Sequence, residues 1–156
     1  MTEHSIISTG AGGESVLEAS RTLIEGLLRP GAYAHPTRRV ELLETHCAWV
    51  LLTGEFAFKI KKPVDFGFLD YSTLEKRRFF CQEEIRLNRR FAPQIYLDVV
   101  AIRGEPEQPH IGGDGPVLDY AVRMRQFPAD GLLSQLAETG RLEAAHIDQM
   151  IARIAD

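Results

Sequence analysis

The chain is short of several things, and each shortage removes a class of function. It has two cysteines, Cys47 and Cys81, lying 34 positions apart with no CxxC spacing and no neighbouring histidine ligands. That excludes a disulfide framework and a zinc site and fits a reducing cytoplasm. It has no basic surplus: 18 Lys and Arg stand against 22 Asp and Glu, a formal charge of -4. Nucleic acid would need a local basic face working against that sign, and the basic residues between Lys59 and Arg90 are interleaved with acids. It has no apolar run near the roughly 18 residues that span a bilayer, and MTEHSIISTG lacks the basic start and apolar stretch of a signal peptide. Neither membrane insertion nor secretion is expected.

What is present suffices for a core, since 44% of the 156 residues are hydrophobic. That length suits one domain, or a small domain with an appendage, and is too short for a typical two-lobed enzyme. Residues 1–14 read as a flexible segment; Gly10, Gly12 and Gly13 follow no strand and precede no lysine at phosphate-loop spacing. From Ser15 to Leu28 the residues Leu17, Leu23, Ile24, Leu27 and Leu28 recur at helical spacing, and Pro30-Gly31 closes that helix. VELLET, CAWVLL and FAFKIKK then read as a three-strand meander ended by Pro63. Ser72 or Thr73 offers an N-cap for a long helix to about Arg90. Ile95–Arg103 and Val117–Phe127 read as two further strands, joined by a loop holding Pro106, Pro109, Gly112, Gly113 and Gly115. GLLSQLAETG and the run Leu142–Ile154 read as two final helices. The expected class is α+β: a five-stranded antiparallel sheet with a helix between strands three and four.

Side chains alternate along a strand, so Ala57, Lys59 and Lys61 share one face of the third strand and Phe56, Phe58 and Ile60 the other. On the next helix, Leu74, Cys81, Ile85, Leu87 and Phe91 outline an inward sector; Glu84 projects into it and Glu83 lies at its edge. A carboxylate there needs a cation opposite, and Lys59 is the natural partner. The plainer reading makes both glutamates surface residues paired along the helix with Lys76 or Arg86 to Arg90.

The run from THCAWVLLTGEFAFKIKKPVDFGFLDYSTLEKRRFFCQEEIRLNRRFAP through IYLDVV resembles the N-terminal lobe of the protein-kinase-like fold, in its bacterial aminoglycoside phosphotransferase-like branch. It looks like the phosphotransferase domain that some bacterial proteins carry ahead of a P-loop ATPase domain. The likeness covers roughly residues 35–156 and is most specific over 45–99. It implies a kinase-like N-terminal lobe over 15–128, with 129–156 as a linker and the first helices of an incomplete C-terminal lobe. It implies Ala57 beneath an adenine, Lys59 on the α and β phosphates, and Glu84 fixing Lys59. It places Met124 as gatekeeper and Arg125, Gln126 and Phe127 as the hinge along the base. The implied cofactor is ATP with Mg²⁺, whose ligands would lie in the missing lobe, and the acceptor is a small hydroxyl compound met by the full-length protein.

Two strings imitate kinase motifs and are set aside. Asp65-Phe66-Gly67 comes six residues after Lys59, far too early for the metal-binding triplet. His146-Ile147-Asp148 has Arg153 where an Asn ligand belongs, and it sits in a helical pattern. The turn at Thr45, His46 and Cys47 lacks the glycines of a phosphate lid. His4, His35 and His110 read as isolated surface histidines. With no base and no metal-binding Asp or Asn at suitable spacing, the chain alone is expected to hold no catalytic or metal residue and to be inactive. The alternative is an adaptor or regulatory module that keeps the fold without the chemistry.

Overall fold

The computed structural model describes residues 11–128 and 133–155. Helix α1 spans Ala11–Leu27, followed by a 3-10 turn at Pro30–Ala32. Strands β1 (Glu41–Glu44), β2 (Ala48–Leu52) and β3 (Phe56–Lys61) form the expected meander. Helix α2 spans Leu74–Asn88, strand β4 Tyr96–Glu105, β5 Gln108–Ile111 and β6 Val117–Arg125. Helices α3 (Leu133–Glu138) and α4 (Ala144–Ala155) follow.

The result is α+β with one antiparallel sheet in the order β1-β2-β3-β6-β4-β5. β3 and β4 both pair antiparallel with β6, so they run in the same direction, and α2 is the crossover between them. That connection places α2 across β6 and β4. On the opposite face, Trp49, Leu51, Phe58, Ile60, Ile102 and Ala121 meet Leu23, Ile24 and Leu27 of α1 in the main core. Burying such side chains contributes about 1.5–3 kcal/mol each. Phe58 and Ile60 turn into this core, as strand alternation requires, which leaves Ala57, Lys59 and Lys61 for the α2 side.

Six strands replace the expected five. The proline- and glycine-rich stretch is not all loop: β4 continues to Glu105, turns at Pro106-Glu107 and returns as β5. Pro109 is tolerated because β5 is an edge strand, where its missing N–H costs no ladder bond. α1 lies so close there that a Cβ on Gly26 would meet the Pro109 ring at 2.4 Å, and Arg29 Nη2 donates to the Pro109 carbonyl. Helix α1 starts at Ala11, four residues earlier than the periodicity indicates; positions 1–10 of the expected flexible segment lie outside the described residues. Thr73, not Ser72, caps α2 by accepting from the Lys76 N–H, while Ser72 binds Asp70.

The inward sector of α2 also differs from the apolar one expected. Leu87 and Phe91 are exposed, and the inward stripe is Arg77, Cys81, Glu84 and Asn88, at spacings of four, three and four. Apolar periodicity cannot find this stripe, because two of its members are charges matched by the sheet. His35 and His110 are half-buried, His35 bonding Thr53 Oγ1 at 2.8 Å and His110 the Gly112 carbonyl at 2.7 Å. Both are structural and not free surface groups; His4 lies outside the described residues. No described helix is long and apolar enough to cross a membrane.

Candidate functional site

The third strand and α2 meet in a cluster of two ammonium groups and one carboxylate. Lys59 Nζ lies 2.9 Å from Glu84 Oε1, and Lys61 Nζ lies 2.7 Å from Oε2, so the carboxylate spans the two. Strand alternation sets both lysines on the same face. α2 supplies Glu84 from its last two turns, where Asn88 Nδ2 donates to the Glu84 carbonyl at 2.8 Å. Glu83 sits outside the cluster and pairs with Arg86 through two contacts, at 2.9 and 2.7 Å.

The environment is uneven. The Lys61 side chain is 4% exposed, Glu84 12% and Lys59 32%. Lys61 also lies over the Tyr71 ring, 4.9 Å from its centroid, a favourable place for a desolvated cation. Burial works to raise the Glu84 carboxyl, but Lys61 and then Lys59 outweigh it and hold it below the ordinary range. Burial likewise opposes the Lys61 charge, and Glu84 reverses that, so its ammonium is held above the ordinary lysine range. The cluster therefore carries two cations and one anion, with the surplus charge on the more exposed lysine.

Neighbouring positions fall into place along the sheet. Ala57, buried on β3, is the register partner of Met124 on β6, and Lys59 is the partner of Val122. Arg125 and Gln126 continue from β6: the Arg125 N–H donates to the Ile95 carbonyl at 2.8 Å and the Gln126 N–H to the Glu55 carbonyl at 3.0 Å. The Gln126 side chain accepts from the Gly54 N–H at 2.8 Å, closing the β2–β3 turn. Phe127 is exposed just beyond. Ala57, Lys59, Glu84 and Met124 thus gather on one face of the sheet and its covering helix, with Arg125, Gln126 and Phe127 at its edge.

Lys61 is the member that sequence reasoning missed as a site residue. The signal was available, because it lies two residues from Lys59 on the same face. Lys62, one residue further and on the other side, holds the β1–β2 turn: its Nζ contacts Glu44 Oε1 at 2.6 Å and the Thr45 carbonyl at 2.5 Å, above the Trp49 ring. The glycine-free turn is thereby tied to the end of β3.

Asp65-Phe66-Gly67 forms a tight turn in which Asp65 Oδ1 accepts from the Gly67 N–H, and Gly67 takes a φ of +81°. His146 and Asp148 lie on α4. Among the described residues, no group of three or more His, Cys, Asp or Glu side chains is placed to hold a metal ion. Two cavities lie away from the cluster. One of about 410 Å³ is bordered by Arg38, Arg39, the β2–β3 turn and Gln126, and one of about 190 Å³ by α1, Leu118, Arg77 and Asp119.

No protein-family model matches the chain, and no solved structure matches it. Curated relatives are uncharacterized proteins of Mycobacterium bovis and of two Mycobacterium tuberculosis strains, each 36% identical over 123 residues, which is 77% of this chain and 24% of the relative. The chain thus spans about a quarter of the length of the curated relatives it matches.

Proposed function

We propose that this chain is the nucleotide-binding, kinase-like N-terminal lobe of an ATP-dependent phosphotransferase of the aminoglycoside phosphotransferase-like kind, acting on a small hydroxyl substrate when joined to a catalytic lobe. The observation that carries the reading is the 2.9 Å pair between Lys59 on the third strand and Glu84 on the following helix. A phosphate-binding ammonium needs a fixed direction, and a carboxylate anchored on a helix provides one. The half-buried position of Lys59 leaves its charge accessible to a polyphosphate while the sheet shields it from bulk water.

The adenine side is read from the same sheet face. Ala57 opposite Met124 offers a small residue beside an adaptable one, a flat apolar floor for a purine. The N–H groups of Arg125 and Gln126 already donate within the fold, so in this reading the base edge is met by other backbone groups of the Arg125–Phe127 hinge. A bound Mg-nucleotide would supply the transferable phosphoryl group; this chain would orient its phosphates and base, and the Mg²⁺ ligands and the residue that positions the acceptor are assigned to the further lobe. The greater length of the mycobacterial relatives leaves room for that lobe and for a P-loop ATPase domain.

The test is calorimetric titration of the 156-residue chain with MgATP against its Lys59→Ala variant. The parent should bind weakly, because half of the cleft belongs to the other lobe, and the variant should bind at least about tenfold more weakly. Equal affinities would sink the reading.

One feature favours a second reading, a regulatory module without chemistry. The β1–β2 turn has no glycine and is pinned by Lys62, so it cannot fold over a triphosphate as a mobile lid would. The two readings separate on turnover: a longer product of the gene that hydrolyses or transfers phosphate from ATP, and loses that activity with Lys59→Ala, is the enzyme.

A further inference from the structure

The two lysines on Glu84 are not equivalent. Lys61 is the more buried, the nearer to the carboxylate and the one sheltered by Tyr71. Lys59 is eight times as exposed, at 32% against 4%. With one lysine only, a phosphate recruiting that ammonium would strand a largely buried carboxylate, and a buried unpaired charge is strongly disfavoured. Here the carboxylate has a second cation already in place.

We propose that Lys61 is a positioning residue: it keeps the Glu84 carboxylate ionised and aimed at β3, so that Lys59 is free to turn toward an incoming phosphate. The anchoring role stands on the geometry of the cluster, whereas the destination of Lys59 rests on the nucleotide reading above. Lys61 itself does not touch the phosphates.

The groups facing Glu84 make the anchoring role measurable. β3 contributes Lys59 and Lys61, the segment before α2 contributes Tyr71, α2 contributes Cys81, and β4 contributes Tyr96. Burial pushes the Cys81 thiol up to about 12 and raises the Tyr96 phenol, so these groups stay neutral while a carboxylate titrates. Changes in the Glu84 midpoint therefore report the two lysines.

The experiment is carboxyl-carbon NMR of ¹³C-glutamate-labelled full chain, titrated through the acid range without nucleotide. Lys61→Met should raise the Glu84 midpoint by about one pH unit, Lys59→Met by less than half of that, and Lys61→Arg should return it to near the parent. An equal or larger shift in Lys59→Met overturns the proposal. Binding of MgATP, with tripolyphosphate as the base-free probe, supplies the second arm. Lys61→Met should weaken both about tenfold, because Glu84 then holds Lys59. Lys61→Arg, which keeps a cation on Glu84, should bind both within about threefold of the parent. If Lys61→Met leaves binding unchanged, or weakens it without raising the Glu84 midpoint, the positioning role is wrong, and in the second case Lys61 is itself a phosphate ligand. A parent that binds neither probe ends the nucleotide reading alone; the order of the midpoint shifts still decides the anchor.

Discussion

Helix α2 is tied to the sheet at two places by charge, and the two ties are built in opposite senses. Toward its start, Arg77 Nε lies 3.1 and 3.0 Å from the two oxygens of Asp119 on β6, and its Nη1 donates to the Tyr71 carbonyl at 3.0 Å. Seven residues on, Glu84 reaches Lys59 and Lys61 of β3. The first tie is one cation against one anion, both almost fully buried. Asp119 also accepts the Tyr120 N–H at 2.8 Å. The second is two cations against one anion, with one cation a third exposed. A balanced, buried pair has no charge to offer a ligand and serves the fold. An unbalanced cluster open on one side has a surplus positive charge and a route for an anion to reach it. The same helix face thus carries a structural device and a candidate site, and charge balance with exposure tells them apart.

The structural end should be the more sensitive to substitution. Arg77→Met should cost about 3–5 kcal/mol in urea unfolding, because Asp119 is left buried without its partner, while Arg77→Met with Asp119→Leu should recover most of the loss. A cost below about 1 kcal/mol for the single variant would mean that the pair is not the tie described here.

Glu84→Gln should cost less, about 2–3 kcal/mol, since it leaves Lys61 buried beside Lys59 without a counter-charge. The two ends should also respond differently to anions. Millimolar sulfate or tripolyphosphate should restore part of the stability of Glu84→Gln and none of that of Arg77→Met, as read by thermal unfolding.

Lys59→Met should have a smaller effect on the fold, below about 1 kcal/mol, because the side chain is partly solvated and Lys61 remains. It should nevertheless cut the extra stability that a nucleotide confers, from about 2.7 kcal/mol at one hundred times the parent's dissociation constant to about 1.4 kcal/mol or less. A variant that is stable and still stabilised by nucleotide as fully as the parent would move the site away from β3.

The gentlest test is pH. The folded-state pKa of Glu84 lies below its ordinary value of 4.5, so its contribution is fully present above 4.5 and is lost as pH falls through the lower folded value. Burial pushes Asp119 the other way, against the pull of Arg77, so acid should not weaken that end in the same manner. The stability difference between the parent and Glu84→Gln should therefore be flat from pH 7 to about 5 and shrink below that. A difference that persists unchanged to pH 3 would show that Glu84 is not held ionised by its lysines.

Much of the architecture could be read along the chain. The three-strand meander, the long helix capped at Ser72 or Thr73, the two strands after it and the two last helices all follow from short β-type runs, a capping hydroxyl and helical spacing. The extra strand could not be read, because Pro109 and the nearby glycines speak for a loop; only its place at the sheet edge and the docking of Gly26 against it make a strand there stable. The inward turn of Lys59 and Glu84 was legible from alternation and helical phase. The burial of Arg77 was not, since its partner Asp119 is 42 residues away and no local pattern links them.

Sequence by itself settled which residues share a face. Period two put Ala57, Lys59 and Lys61 together, and period 3.6 set Glu84 apart from Glu83, because backbone geometry fixes side-chain direction. Tertiary structure decided how the charges were shared. Whether Glu84 faces one lysine or two, and which of them keeps access to solvent, depends on where the crossover lays α2 across β6 and β4, and that placement exists only once the whole sheet has formed.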